Sequence, residues 1–262
     1  MMEQFKALAI AAYPNEAGAV VINGTLYPVR NASVEPTRYM EFDALELGML
    51  ELKHGKVEAY IHSHPFDSSK PPIDHHYQPQ WASHRDMEMW IALNVPFGIV
   101  ATDGASCSDI LWYDDNNRAP LEGRTFVHGL HDCYSIVRDY YHQTLGINLK
   151  NFPRGWGWWN DGQNLYLDGF GEAGFVEVPR HEAQVNDVII YKIGTAYPNH
   201  AAVMIGQDAI LHHLIDRQSR VEQKSRWARH EALVVRYVGL DKYGITAGSI
   251  DDETNLPARS AS

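Results

Sequence analysis

The sequence predicts an α+β protein of two domains, an N-terminal α/β domain over 1–114 and a C-terminal α+β domain over 123–240. Three observations carry that expectation. The chain has 262 residues, close to two domains of the common ~100–150. Strand-like and helix-like patterns recur on both sides of Asp115-Asn116-Asn117-Arg118-Ala119-Pro120, a polar run of turn formers that marks 115–122 as a linker. The two cysteines, Cys107 and Cys133, fall one in each half, which makes no disulfide framework and points to folding in a reducing cytoplasm.

Element by element, Met2 through Ala12 reads as an amphipathic helix; Glu3 and the short apolar run make it a poor secretory signal. Residues 17–22 and 25–29 flank Asn23-Gly24, the strongest short hairpin signal. A strand follows at 57–62. A helix runs from Ser83, its N-cap, to Asn94, with Met87, Trp90 and Ile91 on the buried face. Strands at 97–101 and 109–113 complete the first half. In the second half, Ile136, Val137, Tyr140, Tyr141 and Leu145 recur at helical spacing after Cys133. Apolar strands follow at 185–191, 200–206 and 209–211, and the polar, aperiodic stretch 241–262 reads as a disordered tail.

Composition excludes some functions. Lys and Arg number 22 against 33 Asp and Glu, a net charge of −11, and no basic cluster stands out, so nucleic acid is not an expected partner. No stretch approaches the ~20 apolar residues of a bilayer span, so stable membrane insertion is not expected.

Two constellations carry chemistry. The first is Asp132-Cys133 at a helix start, where free amides and the helix dipole favour a thiolate, with His200 opening one strand and His212 ending the next. Adjacent antiparallel strands would set His200 beside Cys133 as base and His212 behind it as orienting group. Cys107 reads as a structural thiol. The second is His62-Ser63-His64-Pro65 at a strand end. Positions i and i+2 share a face, so both rings can reach one ion, and a carboxylate should complete the set. Asp86, in the first turn of the helix capped by Ser83, is the best candidate; Asp67 and Asp74 are weaker ones. Glu16, beside the first hairpin, could take a proton from water. The aromatic run Phe152 to Trp159 reads more readily as a loop over the core than as a binding wall.

Asp-Cys at a helix start, followed in order by the 185–191 strand and His200 leading a small-apolar strand, resembles the NlpC/P60 cysteine peptidases over 126–237. That resemblance implies a papain-like α+β fold and a Cys133–His200–His212 triad. The family's upstream tyrosine, which helps bind the reacting carbonyl, has no match, so the oxyanion contact is unassigned. Glu16, then His62-x-His64-Pro65, then Ser83-x-x-Asp86 resembles the JAB/MPN (JAMM) metallopeptidases. That resemblance implies Zn2+ held by His62, His64 and Asp86, with Glu16 as general base and Ser83 as oxyanion helper. A loop insertion separates His64 from Asp86, able to cover the metal or replace a ligand. The pair of domains in this order resembles a family of phage tail-tip assembly proteins. It implies other tail-tip proteins as partners, peptidoglycan stem peptides as substrate, and a place in the virion tail or a tail assembly intermediate made in a host cytoplasm.

Overall fold

A computed structural model describes residues 1–71, 74–116 and 118–239 of the chain. The expected tail over 241–262 lies outside the described residues.

Helix α1 (Met2–Ala12) leads into strands β1 (Gly18–Ile22) and β2 (Thr25–Val29), joined by Asn23-Gly24, both at positive φ as a two-residue hairpin turn requires. Helix α2 (Ala44–His54), strand β3 (Ala59–Pro65), helix α3 (His84–Leu93) and strands β4 (Phe97–Thr102) and β5 (Leu111–Tyr113) follow. They form a five-stranded sheet ordered β2-β1-β3-β4-β5, in which only β3 and β4 run parallel, connected through α3. Strand β1 is buried at every position because both faces are covered. Val20 and Ile22 pack with Met87 and Trp90 of α3, while Ala19 and Val21 pack with Phe5 and Ala9 of α1. By the same alternation, Tyr60, His62 and His64 share one face of β3, the α3 side.

The second sheet collects β6 (Phe175–Val178), β7 (Val188–Tyr191), β8 (His200–Gly206), β9 (Ala209–His212), β10 (Arg220–Gln223) and β11 (Glu231–Tyr237) in the order β10-β9-β8-β7-β11-β6, all antiparallel. Helix α4 (Cys133–Leu145) lays Ile136, Val137, Tyr140 and Tyr141 on one face, against Ile190, Ala201, Val203 and Leu211. A five-residue helix α5 (Leu165–Gly169) stands between α4 and β6. Among the described residues no helix is long and apolar enough to cross a membrane.

The two sheets meet near the start of α4. Tyr113 of β5 donates its hydroxyl to the His128 carbonyl (3.1 Å) and accepts the Ala82 N–H (2.8 Å). Gly129, at φ 79°, lies so close to Met87 of α3 that a Cβ there would meet the Met87 sulfur at 2.8 Å. The positive φ favours glycine here, and any Cβ would also make the Met87 side chain shift. The segment between β3 and α3 has only turns and bends among its described residues, and its Trp81 packs on Trp156 and His128 of the second half.

Candidate active sites

Asp132 is the N-cap of α4, and its Oδ1 accepts the N–H groups of Tyr134 (3.1 Å) and Ser135 (2.9 Å). Its Oδ2 accepts the Gly129 N–H (2.8 Å) and the Arg154 Nε–H (2.7 Å). Burial opposes ionisation of Asp132, but the Arg154 charge and hydrogen bonds outweigh it and hold the carboxyl well below its usual range. The pair fixes the turn that presents Cys133. The thiol itself departs from the sequence expectation. Burial, helped by the Asp132 charge, pushes it up to about 11, against the thiolate that a helix terminus favours. Its Sγ lies 3.1 Å from the Tyr166 hydroxyl and 3.9 Å from the Asn199 carbonyl, directly before His200.

His200 and His212, on neighbouring strands, share a 3.0 Å hydrogen bond between Nε2 of the first and Nδ1 of the second. His212 Nε2 lies 3.5 Å from Oε2 of Glu222 on the edge strand β10. Burial works against the Glu222 charge, but the Trp227 indole N–H (2.8 Å), His212 and Arg220 lower its pKa. An ionised carboxylate only accepts, which fixes the tautomers along the chain. His212 Nε2–H faces Glu222, His212 Nδ1 accepts from His200 Nε2–H, and His200 Nδ1 keeps a lone pair. Burial, then His212 and His213, keeps His200 neutral by lowering its pKa well below the usual value. The neighbouring His213 cannot stand in for His212. Its ring packs on Phe126 and its Nε2 donates to the Arg217 carbonyl (3.1 Å).

Cys133, Tyr166 and His200 line one cavity of about 280 Å³. Trp156, Trp158 and Trp159, expected mainly as a cover for the core, form part of its wall. Sequence reasoning missed Glu222 and Tyr166. Glu222 sits in a short, mostly exposed edge strand and Tyr166 in a helix of five residues, neither long enough to show a period.

In the first half, the Ala17 carbonyl accepts from the Ser63 N–H (2.9 Å) and the Ser63 hydroxyl accepts the Ala17 N–H (2.9 Å). These bonds hold Glu16 beside β3. The Nε2 atoms of His62 and His64 lie 2.9 Å apart, and each faces an Asp86 oxygen, at 3.2 and 3.1 Å. Four ligands about 2.0–2.1 Å from one tetrahedral ion stand about 3.3 Å from each other, so the spacing and the N and O chemistry of these three side chains fit zinc. His64 Nδ1 donates to the Pro79 carbonyl (2.7 Å) in the inserted segment, which orients the ring with Nε2 toward His62 and Asp86. Asp67 and Asp74 lie elsewhere, bonded to Ser69 and Trp156.

Asp86 and Ser83 form a reciprocal capping box on α3, with the Ser83 N–H on Asp86 Oδ2 (2.7 Å) and the Asp86 N–H on Ser83 Oγ (3.2 Å). Glu16 is buried with Oε2 lacking a hydrogen-bond partner. Burial raises its pKa against the opposing pull of His62 and His64, as suits a group that takes and returns a proton.

Residues 123–236 match the NlpC/P60 family. Tail tip assembly protein K of Escherichia phage lambda is 34% identical over 176 residues, 67% of this chain and 79% of that protein. Tail tip assembly protein K of Escherichia phage N15 is 30% identical over 243 residues, 90% of this chain and 93% of that protein. Among solved structures, the NlpC/p60 domain of peptidoglycan hydrolase SagA is 16% identical, with a TM-score of 0.30, and the match covers 44% of this chain and 89% of that one.

Proposed function

From the premise that this chain belongs to the phage tail tip assembly protein K family and carries an NlpC/P60 domain, we propose that it is a tail-tip cysteine peptidase with Cys133 as nucleophile. The observation that supports this best is the ordered relay Glu222–His212–His200, whose His200 lines the same cavity as the Cys133 thiol. His200 Nδ1 takes the thiol proton as Sγ attacks the substrate carbonyl carbon. The tetrahedral oxyanion collapses, the C–N bond breaks, and His200 returns the proton to the leaving amine, leaving a thioester on Cys133. Water, deprotonated by His200, then attacks the thioester, releases the acid and restores the thiol. The Tyr166 hydroxyl, 3.1 Å from Sγ, is placed to donate to the developing oxyanion, the contact that the sequence left unassigned.

Peptidoglycan stem peptides are the first substrate to test, with cleavage opening the wall locally during infection. A second reading, processing of tail polypeptides during assembly alongside other tail-tip proteins, is favoured by the apolar lining of the cavity. Release of soluble peptide from purified wall, lost in Cys133→Ala and in His200→Ala, is the expected result. If no wall and no tail polypeptide is cut, the domain serves as a structural or assembly component of the tail tip.

The first domain is proposed to bind zinc through His62, His64 and Asp86. Zinc in such a site polarises a carbonyl and makes water more acidic. Glu16 takes the proton from water and passes it to the leaving amine. Ser83, whose oxygen caps α3, keeps its own proton to donate to an oxyanion. Metal analysis after purification with zinc should give one ion per chain in wild type and in Cys133→Ala, and none in His62→Ala. A metal-free wild type would dismiss this site.

A further inference from the structure

The cavity beside Cys133 continues inward from the reacting atoms. Val188, Ile190 and Val235 of the second sheet line it together with Phe170 and Ala173. These residues belong to, or pack on, the main apolar cluster beneath α4. The pocket has room for about 280 Å³ of ligand, and burying a side chain against an apolar lining of this kind is favourable. An engineered apolar cavity of roughly 150 Å³ takes up benzene, so this one has room for a larger ring or a branched chain.

Its polar rim is already satisfied. Arg154 spends its guanidinium on Asp132, Asn151, Ser135 and the carbonyls of Gly129 and Phe152, and the Asp132 oxygens are filled by Arg154 and backbone amides. His128 donates to the Arg154 carbonyl. A charged substituent entering here would find no unpaired counter-charge among these groups, whereas an apolar one would meet a mostly apolar lining.

We propose that this cavity is a specificity subsite that seats one large apolar side chain, aromatic or branched aliphatic, of a polypeptide substrate next to the bond that Cys133 attacks. The inference rests on the reading of Cys133 as the nucleophile. It favours the tail-polypeptide reading over wall stem peptides, since small or charged side chains would leave the apolar space unfilled.

The test is a series of N-substituted maleimides, ethyl, butyl, benzyl, octyl and dodecyl, reacted with the full chain. Adduct formation at Cys133 is mapped by mass and scaled to glutathione in the same tube. Each methylene that enters apolar surroundings should raise the relative rate up to about fourfold, so N-benzyl should exceed N-ethyl by at least about tenfold. The gain should stop near the octyl tail and vanish in Ala173→Leu, which adds bulk to the apolar lining. A flat series with Cys133 still labelled overturns the subsite and leaves the nucleophile standing. A gain that keeps rising to dodecyl also overturns it, in favour of a lipid acyl chain leaving the cavity. Occupancy is read without the thiol in Cys133→Ala, using the inert N-benzylsuccinimide. Saturable change in tryptophan fluorescence, absent with N-ethylsuccinimide, supports the subsite even if no maleimide labels Cys133; absence of that change removes it.

Discussion

At the residue scale, the base and its orienting groups act as one unit. Glu222 does not touch the reacting atoms; it positions His212, which positions His200. Removing its charge frees the tautomers, so His200 would present a proton toward the thiol in part of the molecules. Glu222→Gln should therefore lower Cys133-dependent hydrolysis by about tenfold, a part of the ~10²–10⁴ that general-base catalysis supplies. The pH–rate profile should shift with it, while the melting temperature moves little. An unchanged profile would make Glu222 a purely structural partner of Trp227. The thiol gives a second expectation at this scale. With Cys133 pushed up to about 11 and His200 held neutral, the resting pair is uncharged, and proton transfer accompanies attack. Alkylation of Cys133 by iodoacetamide should rise about tenfold per pH unit from 7 to 10, following the thiolate fraction. A rate already level at pH 6 would show a preformed ion pair instead.

At the scale of elements, the loop before α4 and the end of β9 hold three buried rings, His128, His212 and His213, each with a pKa lowered to about 4, chiefly by burial. An unfolded histidine titrates near 6.5, so as pH falls the unfolded chain takes up protons first. The stability gained by keeping these rings neutral is complete above about pH 6.5 and is lost as pH drops toward 4, by at most about 3 kcal/mol per ring. Thermal unfolding of the second half, followed by tryptophan fluorescence, should shift steeply downward over that window. A midpoint unchanged between pH 7 and 4.5 would contradict the burial. The elements differ in how far their sequences announce them. Asn23-Gly24 and the continuous apolar run of β1 are legible because local turn chemistry and two covered faces leave a direct pattern. Helix α2 is not, because Leu45, Met49 and Leu52 are exposed while Leu47 and Leu50 pack inward, which blurs any stripe. Strand β10 hides for a related reason, since Arg220, Val221 and Gln223 face solvent and only Glu222 is partly covered. The candidate side chains Cys133, His200, His62 and His64 could be picked out by spacing, but the roles of Glu222, Tyr166 and the Pro79 carbonyl depend on tertiary contacts that no local period encodes.

At the scale of the molecule, the two candidate sites share a boundary. Asp74 accepts the Trp156 indole N–H (3.2 Å), Trp81 packs on Trp156, and Trp156 lines the Cys133 cavity. The segment that orients His64 through Pro79 therefore also braces the wall of the cysteine site. Contact alone does not make one chemistry depend on the other. A thiol activated by a histidine relay needs no metal, whereas the His62–His64–Asp86 site needs an activated water and no cysteine. Hydrolysis by Cys133 should consequently survive chelation and Glu16→Gln within about twofold, while Cys133→Ala abolishes it and His212→Ala lowers it less severely, by about tenfold to a hundredfold. Trp81→Ala is the contrasting variant, because it disturbs the shared wall without touching either set of reacting atoms. It should weaken substrate binding, raising KM more than it lowers kcat. The assay is release of soluble peptides from purified wall or tail polypeptides by each variant, with and without chelator. If chelation stops that release while Cys133→Ala leaves it intact, the first domain performs the hydrolysis and the cysteine relay has another task.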